Sequence, residues 1–114
     1  MPYISFRTNL KITEDKEKTI KEKIGKSIEI LPGKKENWLM ICFQDECKLY
    51  FGGKNDSPMA YIEVNLYGAS TKTAYNALTM TITKIINDEL GISSDKIYVK
   101  YEEAENWGWN GANF

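Results

Sequence analysis

Two long segments of this chain have the apolar period of an amphipathic helix, and each lies between segments that alternate like β-strands. The apolar positions of the two helices are Ile20, Ile24, Ile28 and Leu31, then Ala74, Leu78, Ile82, Ile85 and Ile86. Residues three or four apart share one face of a helix. The order therefore predicts two successive strand–helix–strand units, with right-handed crossovers that place both helices on one face of a sheet.

Local signals mark the ends of these elements. Thr13 is the expected N-cap of the first helix, which ends at Pro32-Gly33. The second helix is expected to start at Thr71 and to stop at Gly91, because glycine accepts the left-handed conformation that follows many helices. The predicted strands are residues 2–8, 38–43, 49–51, 59–67 and 97–101.

This order predicts an α+β fold: a duplicated βαβ, ferredoxin-like arrangement with a four-stranded sheet and two helices on one face. The other face of the sheet would be bare, and 114 residues leave nothing to cover it. Association of several copies of the chain is the simplest way to cover this face. The C-terminal segment 105–114 holds two tryptophans and a phenylalanine, so we expect it to pack on a neighbouring copy in a closed ring.

Composition limits the partners. Hydrophobic residues make up 42% and charged residues 27%, and the formal net charge is −1, so neither nucleic acid nor anionic lipid is an expected partner. No stretch approaches the roughly 20 apolar residues of a membrane span, and the first residues lack the pattern of a signal peptide. We expect one domain, residues 1–114, in the cytoplasm, without membrane insertion; any export would follow a non-classical route.

The absence of histidine excludes every mechanism that needs imidazole, including the Ser-His-Asp arrangement. Cys42 and Cys47 form no CxxC motif and have no histidine to complete a metal shell. We therefore expect reduced thiols, no metal and no cofactor.

Several different short motifs are spread along the whole chain, and their order and spacing together are more specific than any one of them. They are Met1-Pro2, Thr8-Asn9, Gly33-Lys34, Phe51-Gly52-Gly53, Ser57-Pro58, Asp95-Lys96-Ile97-Tyr98, Asn106-Trp107-Gly108-Trp109-Asn110 and Phe114. In this order they resemble the macrophage migration inhibitory factor (MIF) family of the tautomerase superfamily. The resemblance implies a homotrimer of βαββαβ subunits with active sites at the subunit interfaces. It also implies keto–enol tautomerase activity of the phenylpyruvate or dopachrome type on a small aromatic 2-oxo acid.

The resemblance places the catalytic base at Pro2. Loss of Met1 would leave a secondary amine, and an α-amino group titrates at about 7.7–8.0 before it is perturbed. Lys34 falls where the family has an active-site lysine. Its charge would lower the pKa of the amine, and its ammonium could hold a substrate carboxylate.

The remaining site residues follow from the same resemblance. Tyr67 occupies a position whose backbone amide faces the substrate carboxylate, and Tyr98 aligns with a pocket tyrosine from the neighbouring subunit. Lys100 stands where better-known members have asparagine, so it would be a second cation, or else a solvated surface lysine. The expected site joins two chains: Pro2, Lys34 and Tyr67 from one, and Tyr98, Lys100 and Trp107 from its neighbour.

Trp107, Trp109 and Phe114 fall on the aromatic pocket wall of the family, where they would stack on a substrate ring and exclude water. The alternative for these residues is packing in the core or at an interface.

Two other functions stay open. One is a secreted, cytokine-like signalling protein with a host cell-surface receptor as partner and an incidental pocket. The basic residue of the family's receptor-contacting loops is replaced by Ile12, although Glu46 keeps the acidic one, and the CxxC of some members is replaced by residues 59–62. The other is a ferredoxin-like binding module without chemistry.

Overall fold

The strand and helix boundaries come from a computed structural model that describes all residues, Met1–Phe114. The elements are β1 (Pro2–Thr8), α1 (Glu14–Ser27), β2 (Met40–Gln44), β3 (Ala60–Tyr67), α2 (Lys72–Leu90), β4 (Ile97–Ala104), β5 (Gly108–Trp109) and β6 (Ala112–Asn113). Short 3₁₀ turns occupy Ile28–Ile30, Glu36–Trp38 and Ser94–Lys96. The predicted strand–helix–strand order is confirmed in both halves of the chain.

The four long strands form one mixed sheet in the order β2-β1-β3-β4. β1 and β2 run parallel, β3 and β4 run parallel, and the central pair β1–β3 is antiparallel. Each half is therefore a parallel βαβ unit, and the two halves meet at the centre of the sheet. This confirms the predicted α+β class with its duplicated topology, and it leaves β2 and β4 as open edges.

The core lies between one face of the sheet and the two helices. In β3 every second residue is buried, with Ile62, Val64 and Leu66 fully enclosed. The helices contribute their predicted apolar stripe, in which Ile20, Ile24, Ile28, Leu78, Ile82 and Ile86 are fully buried. Enclosing each such side chain stabilises the fold by roughly 1.5–3 kcal/mol. Both helices are thereby fixed on one face, as predicted.

Three of the four predicted helix ends are confirmed, but α1 ends at Ser27, where a 3₁₀ turn over Ile28–Ile30 replaces the last turn predicted before Pro32-Gly33. The Thr13 hydroxyl accepts a hydrogen bond from the Lys16 backbone N–H at 3.3 Å, and the Thr71 hydroxyl accepts one from Ala74 N–H at 3.1 Å. Gly91 follows α2 with φ of 66°. This left-handed conformation is unfavourable for any residue that has a side chain, so glycine is preferred here.

Three predicted strands differ from the structure, of which β4 only runs three residues beyond the predicted 97–101. Residues 49–51 form no strand: Phe51 makes only an isolated bridge with Lys54, across a turn whose two glycines have positive φ. A strand needs a partner strand, and the chain offers none at this point. The strand predicted at 38–43 begins at Met40, because Glu36–Trp38 forms a 3₁₀ turn.

The C-terminal segment forms a β-hairpin that the sequence analysis did not predict. β5 and β6 pair antiparallel around Asn110-Gly111, whose φ angles are 53° and 86°. Two positive φ angles are typical of a two-residue turn, for which Asn-Gly is the strongest sequence signal. Within the chain the segment packs on Trp38 and Tyr67, and its Trp109 and Phe114 stay about half exposed.

The second face of the sheet is polar, and neither helix packs on it. On this face the Arg7 guanidinium donates to the Gln44 side-chain oxygen at 2.6 Å and to the Glu63 carboxylate at 3.1 Å. We call it the open face. No helix has the length and apolarity needed to cross a membrane.

Candidate active site

Pro2 is the first residue of β1, where it is buried and opposite Leu66 of β3. The backbone N–H of Tyr67 donates to the Met1 carbonyl at 3.2 Å, and the Lys34 ammonium donates to the Tyr67 carbonyl at 2.8 Å. The sheet register brings Tyr67 to the start of β1, while the turn that ends at Pro32-Gly33 delivers Lys34. One end of the sheet thus gathers the N-terminus, an ammonium and a backbone donor.

The N-terminal amine at this point is electrostatically perturbed. Burial, then the positive charge of Lys34 and its hydrogen bond, hold the pKa of the Met1 amine below its usual range. All three causes disfavour the ammonium form. The Met1 amine is therefore neutral at lower pH than an ordinary chain terminus.

A cleft of about 380 Å³ opens beside Pro2. Its lining consists of Met1, Pro2, Tyr3, Asn37, Trp38, Leu39, Met40, Trp107, Gly108 and Trp109. None of these side chains is charged, and seven of the ten residues are hydrophobic. Such a wall favours the neutral form of an amine and suits an apolar ring.

Two aromatic pairs hold the C-terminal hairpin against this cleft. The Trp38 and Trp109 rings meet edge to face with centroids 5.2 Å apart, and the Tyr67 and Phe114 rings lie 5.3 Å apart. The Phe114 backbone N–H also donates to the Trp107 carbonyl at 3.1 Å. The structure thus brings the predicted aromatic wall to the Pro2 end of the sheet.

Trp38 is a site residue that the sequence analysis missed. The apolar run 38–43 predicts that Trp38 belongs to a strand, whereas it ends a 3₁₀ turn with 44% of its surface exposed. The available signal was its position four residues after Lys34, in a segment that lacks strict alternation.

The origin predicted for Trp107 is wrong. We expected it to reach Pro2 from a neighbouring subunit, but it lines the cleft within the same chain as Pro2. The hairpin explains the difference, because it folds the C-terminal segment back over its own N-terminus.

Tyr98 and Lys100 are not brought to Pro2 within one chain. Tyr98 pairs with Tyr61 at the opposite end of the sheet from Leu66, the partner of Pro2. Five residues of strand separate the two rows, which is about 17 Å at the usual rise. Only another copy of the chain could place Tyr98 in this cleft.

Tyr98 instead lines a second cavity of about 300 Å³ at its own end of the sheet. Its ring lies 5.2 Å from that of Phe51, and the Lys96 ammonium lies 4.8 Å from the Phe51 centroid. Lys100 contacts Glu102 of the same strand at 3.7 Å. Tyr98 itself is 61% exposed.

Solved structures share this architecture over nearly the full chain. Leishmania major MIF2 is 29% identical, with a TM-score of 0.91 over 100% of this chain and 97% of that one. The MIF homologue from Prochlorococcus marinus is 31% identical, with a TM-score of 0.85 over 98% of each chain. The MIF-like protein from Entamoeba histolytica, 23% identical, has the same fold at a TM-score of 0.86 over 99% and 98%. No curated protein matched the sequence.

Fold and site together define a protein of the tautomerase superfamily. The family description "Macrophage migration inhibitory factor (MIF)" matches residues 1–114. The chain belongs to the macrophage migration inhibitory factor family.

Proposed function

We propose that this protein is a keto–enol tautomerase of the phenylpyruvate or dopachrome type, with the Pro2 amine, freed by removal of Met1, as general base. Membership of the family supports an isomerase-type enzyme in general. The observation that carries the specific proposal is the convergence of the chain terminus, the Lys34 ammonium and the Tyr67 N–H beside an uncharged aromatic cleft.

Met1 makes the interactions that a bound substrate would make. Its carbonyl oxygen accepts a hydrogen bond from the Tyr67 N–H, and its amine is close enough to Lys34 for the lysine charge to lower its pKa. Removal of Met1 would free a backbone donor and expose the secondary amine of Pro2 at the same point. A carboxylate oxygen can then replace the Met1 carbonyl on Tyr67 and accept a second hydrogen bond from Lys34.

The reaction needs one proton acceptor and no redox partner. Neutral Pro2 removes a proton from the carbon next to the ketone, and that C–H electron pair forms the C=C bond of the enol. The carbonyl π electrons move to the ketone oxygen, which takes the proton from the Pro2 ammonium. The reverse sequence returns the proton to carbon, so Pro2 is unchanged after either direction.

We further propose that the working form is a homotrimer, in which Tyr98 and Lys100 of one copy reach the cleft of the next. Support comes from the uncovered open face and from the distance between Pro2 and Tyr98 within one chain. A symmetric trimer of fused 4-OT, 14% identical, shares the fold at a TM-score of 0.85. Light scattering should give a mass of three chains, and a stable monomer would contradict this arrangement.

Turnover of phenylpyruvate tests the assignment of the base. Intact mass should show a chain without Met1, and Pro2→Gly should lower kcat/KM by about tenfold or more, because it replaces the ring-held secondary amine by a freely rotating primary amine. A preparation that retains Met1 should be inactive, because the amine of Pro2 is then an amide. Full activity of a chain that retains Met1 would contradict the proposal.

A covalent probe gives an independent readout. A structural neighbour with this fold, 18% identical, was solved inactivated by 2-oxo-3-pentynoate. An amine can add across the triple bond of this 2-oxo acid without a leaving group, so the expected adduct has the full mass of the reagent. Peptide mapping should place it on Pro2, and an adduct confined to Cys42 or Cys47 would count against Pro2 as the reactive group.

No observation favours the signalling alternative. Ile12 is 9% exposed, and its backbone N–H donates to the Asp45 carboxylate at 2.8 Å, so this position presents no charge to a receptor.

The cytoplasmic location of the protein stays a prediction.

A further inference from the structure

We propose that Lys100 selects substrates with a second acidic group, so that the preferred substrate is a dianionic aromatic 2-oxo acid. The inference rests on the proposed function, because Lys100 acts in the cleft of a neighbouring copy. It names the class of substrate on which that site works best.

The cleft beside Pro2 lacks any protein anion. None of its ten lining residues is acidic, and Lys34, which acts on the amine of the lining residue Met1, has only the Tyr67 carbonyl as hydrogen-bond acceptor. One substrate carboxylate balances Lys34. A second cation brought to the same cleft would have no counter-charge from the residues that line it.

Any contact between subunits that brings Tyr98 to a neighbouring cleft also brings Lys100 close to it. The two are alternate residues of β4, so both project from the open face about 6–7 Å apart along the strand. A neighbouring cleft that receives the Tyr98 ring therefore also receives the Lys100 side chain beside it. Since Lys34 holds the carboxylate next to the ketone, Lys100 would meet a group further along the substrate.

Lys100 is also the available cation on this face. Its only ion pair is with Glu102 at 3.7 Å, and the two side chains are 51% and 58% exposed, so the pair is weak and readily exchanged. Arg7, by contrast, is held by Gln44 and by Glu63, which is the cross-strand partner of Lys100. A substrate anion need only displace Glu102.

The test compares phenylpyruvate with 4-carboxyphenylpyruvate, which carries a second carboxylate on the far side of the ring. A charge-assisted hydrogen bond in a partly solvated cleft contributes roughly a factor of ten. The wild-type kcat/KM for the dianion should exceed that for phenylpyruvate by about this factor, mostly through KM, and the preference should shrink as salt is added.

The variants separate a specific contact from a general charge effect. Lys100→Asn should bring the ratio of the two kcat/KM values close to one, and Lys100→Arg should keep most of the preference. Lys84→Asn, which removes an exposed lysine of α2, should leave the ratio as in the wild type.

Two results would overturn the inference. Pro2-dependent turnover of phenylpyruvate with a ratio that Lys100→Asn does not change would refute the role of Lys100 and leave the proposed function standing. Turnover of neither substrate by a chain shown to lack Met1 would refute both proposals.

Discussion

Lys34 combines two effects at the start of β1. Its ammonium donates to the Tyr67 carbonyl at 2.8 Å, which fixes its position, and its charge adds to burial in lowering the pKa of the terminal amine. In the proposed mechanism, the first effect would prepare a site for the substrate carboxylate, and the second would keep the Pro2 amine unprotonated. These effects can be separated, because one acts on KM and the other on the pH at which activity appears.

Lys34→Ala should therefore change both quantities. A pKa lowered by a neighbouring cation rises when that cation is removed, so the ascending limb of kcat/KM against pH should move to higher pH. Loss of a charged hydrogen bond should raise KM for phenylpyruvate by about tenfold or more. Lys35→Ala removes the adjacent exposed lysine and should change neither; an unmoved limb in Lys34→Ala would leave burial alone as the cause.

The location of a single residue was predictable where its place in the chain, beside the end of a strand or helix, also fixes its place in the fold. Pro2, Lys34 and Tyr67 lie beside the ends of predicted strands or helices, so the resemblance placed them together correctly. Trp38 could not be placed in this way, because its access to the cleft depends on a 3₁₀ turn that a short apolar run does not reveal.

Among the elements, the C-terminal hairpin and the helix pair have separate tasks. The hairpin supplies cleft wall but buries no residue of the core, whereas α2 supplies four core residues. A change that disturbs only the hairpin should alter substrate binding and leave stability nearly intact.

Two matched glycine substitutions test this separation. Gly111 and Gly91 both have positive φ, and a Cβ at either position would meet nothing within 4 Å, so alanine adds only backbone strain of about 1 kcal/mol. Gly111→Ala should raise KM severalfold with little change in Tm. Gly91→Ala should lower Tm by several degrees with KM unchanged. The reverse pattern would show that the hairpin is part of the cooperative fold.

Glu89 joins the two helices electrostatically, because its carboxylate accepts from Lys23 at 2.6 Å and from Lys16 at 3.2 Å. These hydrogen bonds, with that of Lys23 first, lower the pKa of Glu89, and the Glu89 hydrogen bond raises the pKa of Lys23. A lowered carboxyl pKa stabilises the fold above the unfolded value near 4.3, and this contribution disappears as pH falls through the folded pKa. The raised lysine pKa stabilises the fold up to alkaline pH.

Glu89→Gln should accordingly lower Tm at pH 7 by a few degrees, and its difference from the wild type should shrink below pH 4. Asp88→Asn is the matched control, since the ion pair of Asp88 is with Lys84 of its own helix, and Lys23 of α1 acts on Asp88 only through its charge, without a hydrogen bond. Its effect on Tm should be smaller. Equal losses in the two variants would contradict a specific role for the inter-helix pairs.

The helices and the four long strands were predictable because local pattern and tertiary burial agree in them. The strand predicted at 49–51 failed because alternation shows only that a segment can form a strand, and pairing also requires a partner. The hairpin was missed although Asn110-Gly111 is a strong turn signal, because each of its strands is only two residues long.

Within one chain, the sheet keeps the two halves of the proposed site apart. Pro2 and the aromatic wall lie at one end, while Tyr98 and Lys100 project from the open face towards the other. The sequence predicted the bare face from the order of its elements. Which subunit supplies which residue could not be read from order alone, as Trp107 illustrates, because it depends on how the C-terminal segment folds back.

A shared site makes a quantitative prediction for mixed trimers. Pro2→Gly replaces the proposed secondary-amine base by a primary amine and Tyr98→Ala removes the residue proposed to come from the neighbour, so each variant alone should have reduced activity. Each competent site in a mixture needs an intact Pro2 from one variant chain and an intact Tyr98 from the other. Random assembly at equal concentrations should then restore about a quarter of the wild-type sites.

The measurement is phenylpyruvate turnover after the two variants are unfolded together and refolded, compared with the same two proteins refolded apart and then mixed. Activity that appears only after joint refolding would establish that Pro2 and Tyr98 act across a subunit boundary. If the two residues instead acted within one chain, every chain in the mixture would carry a defective site, and joint refolding would restore nothing.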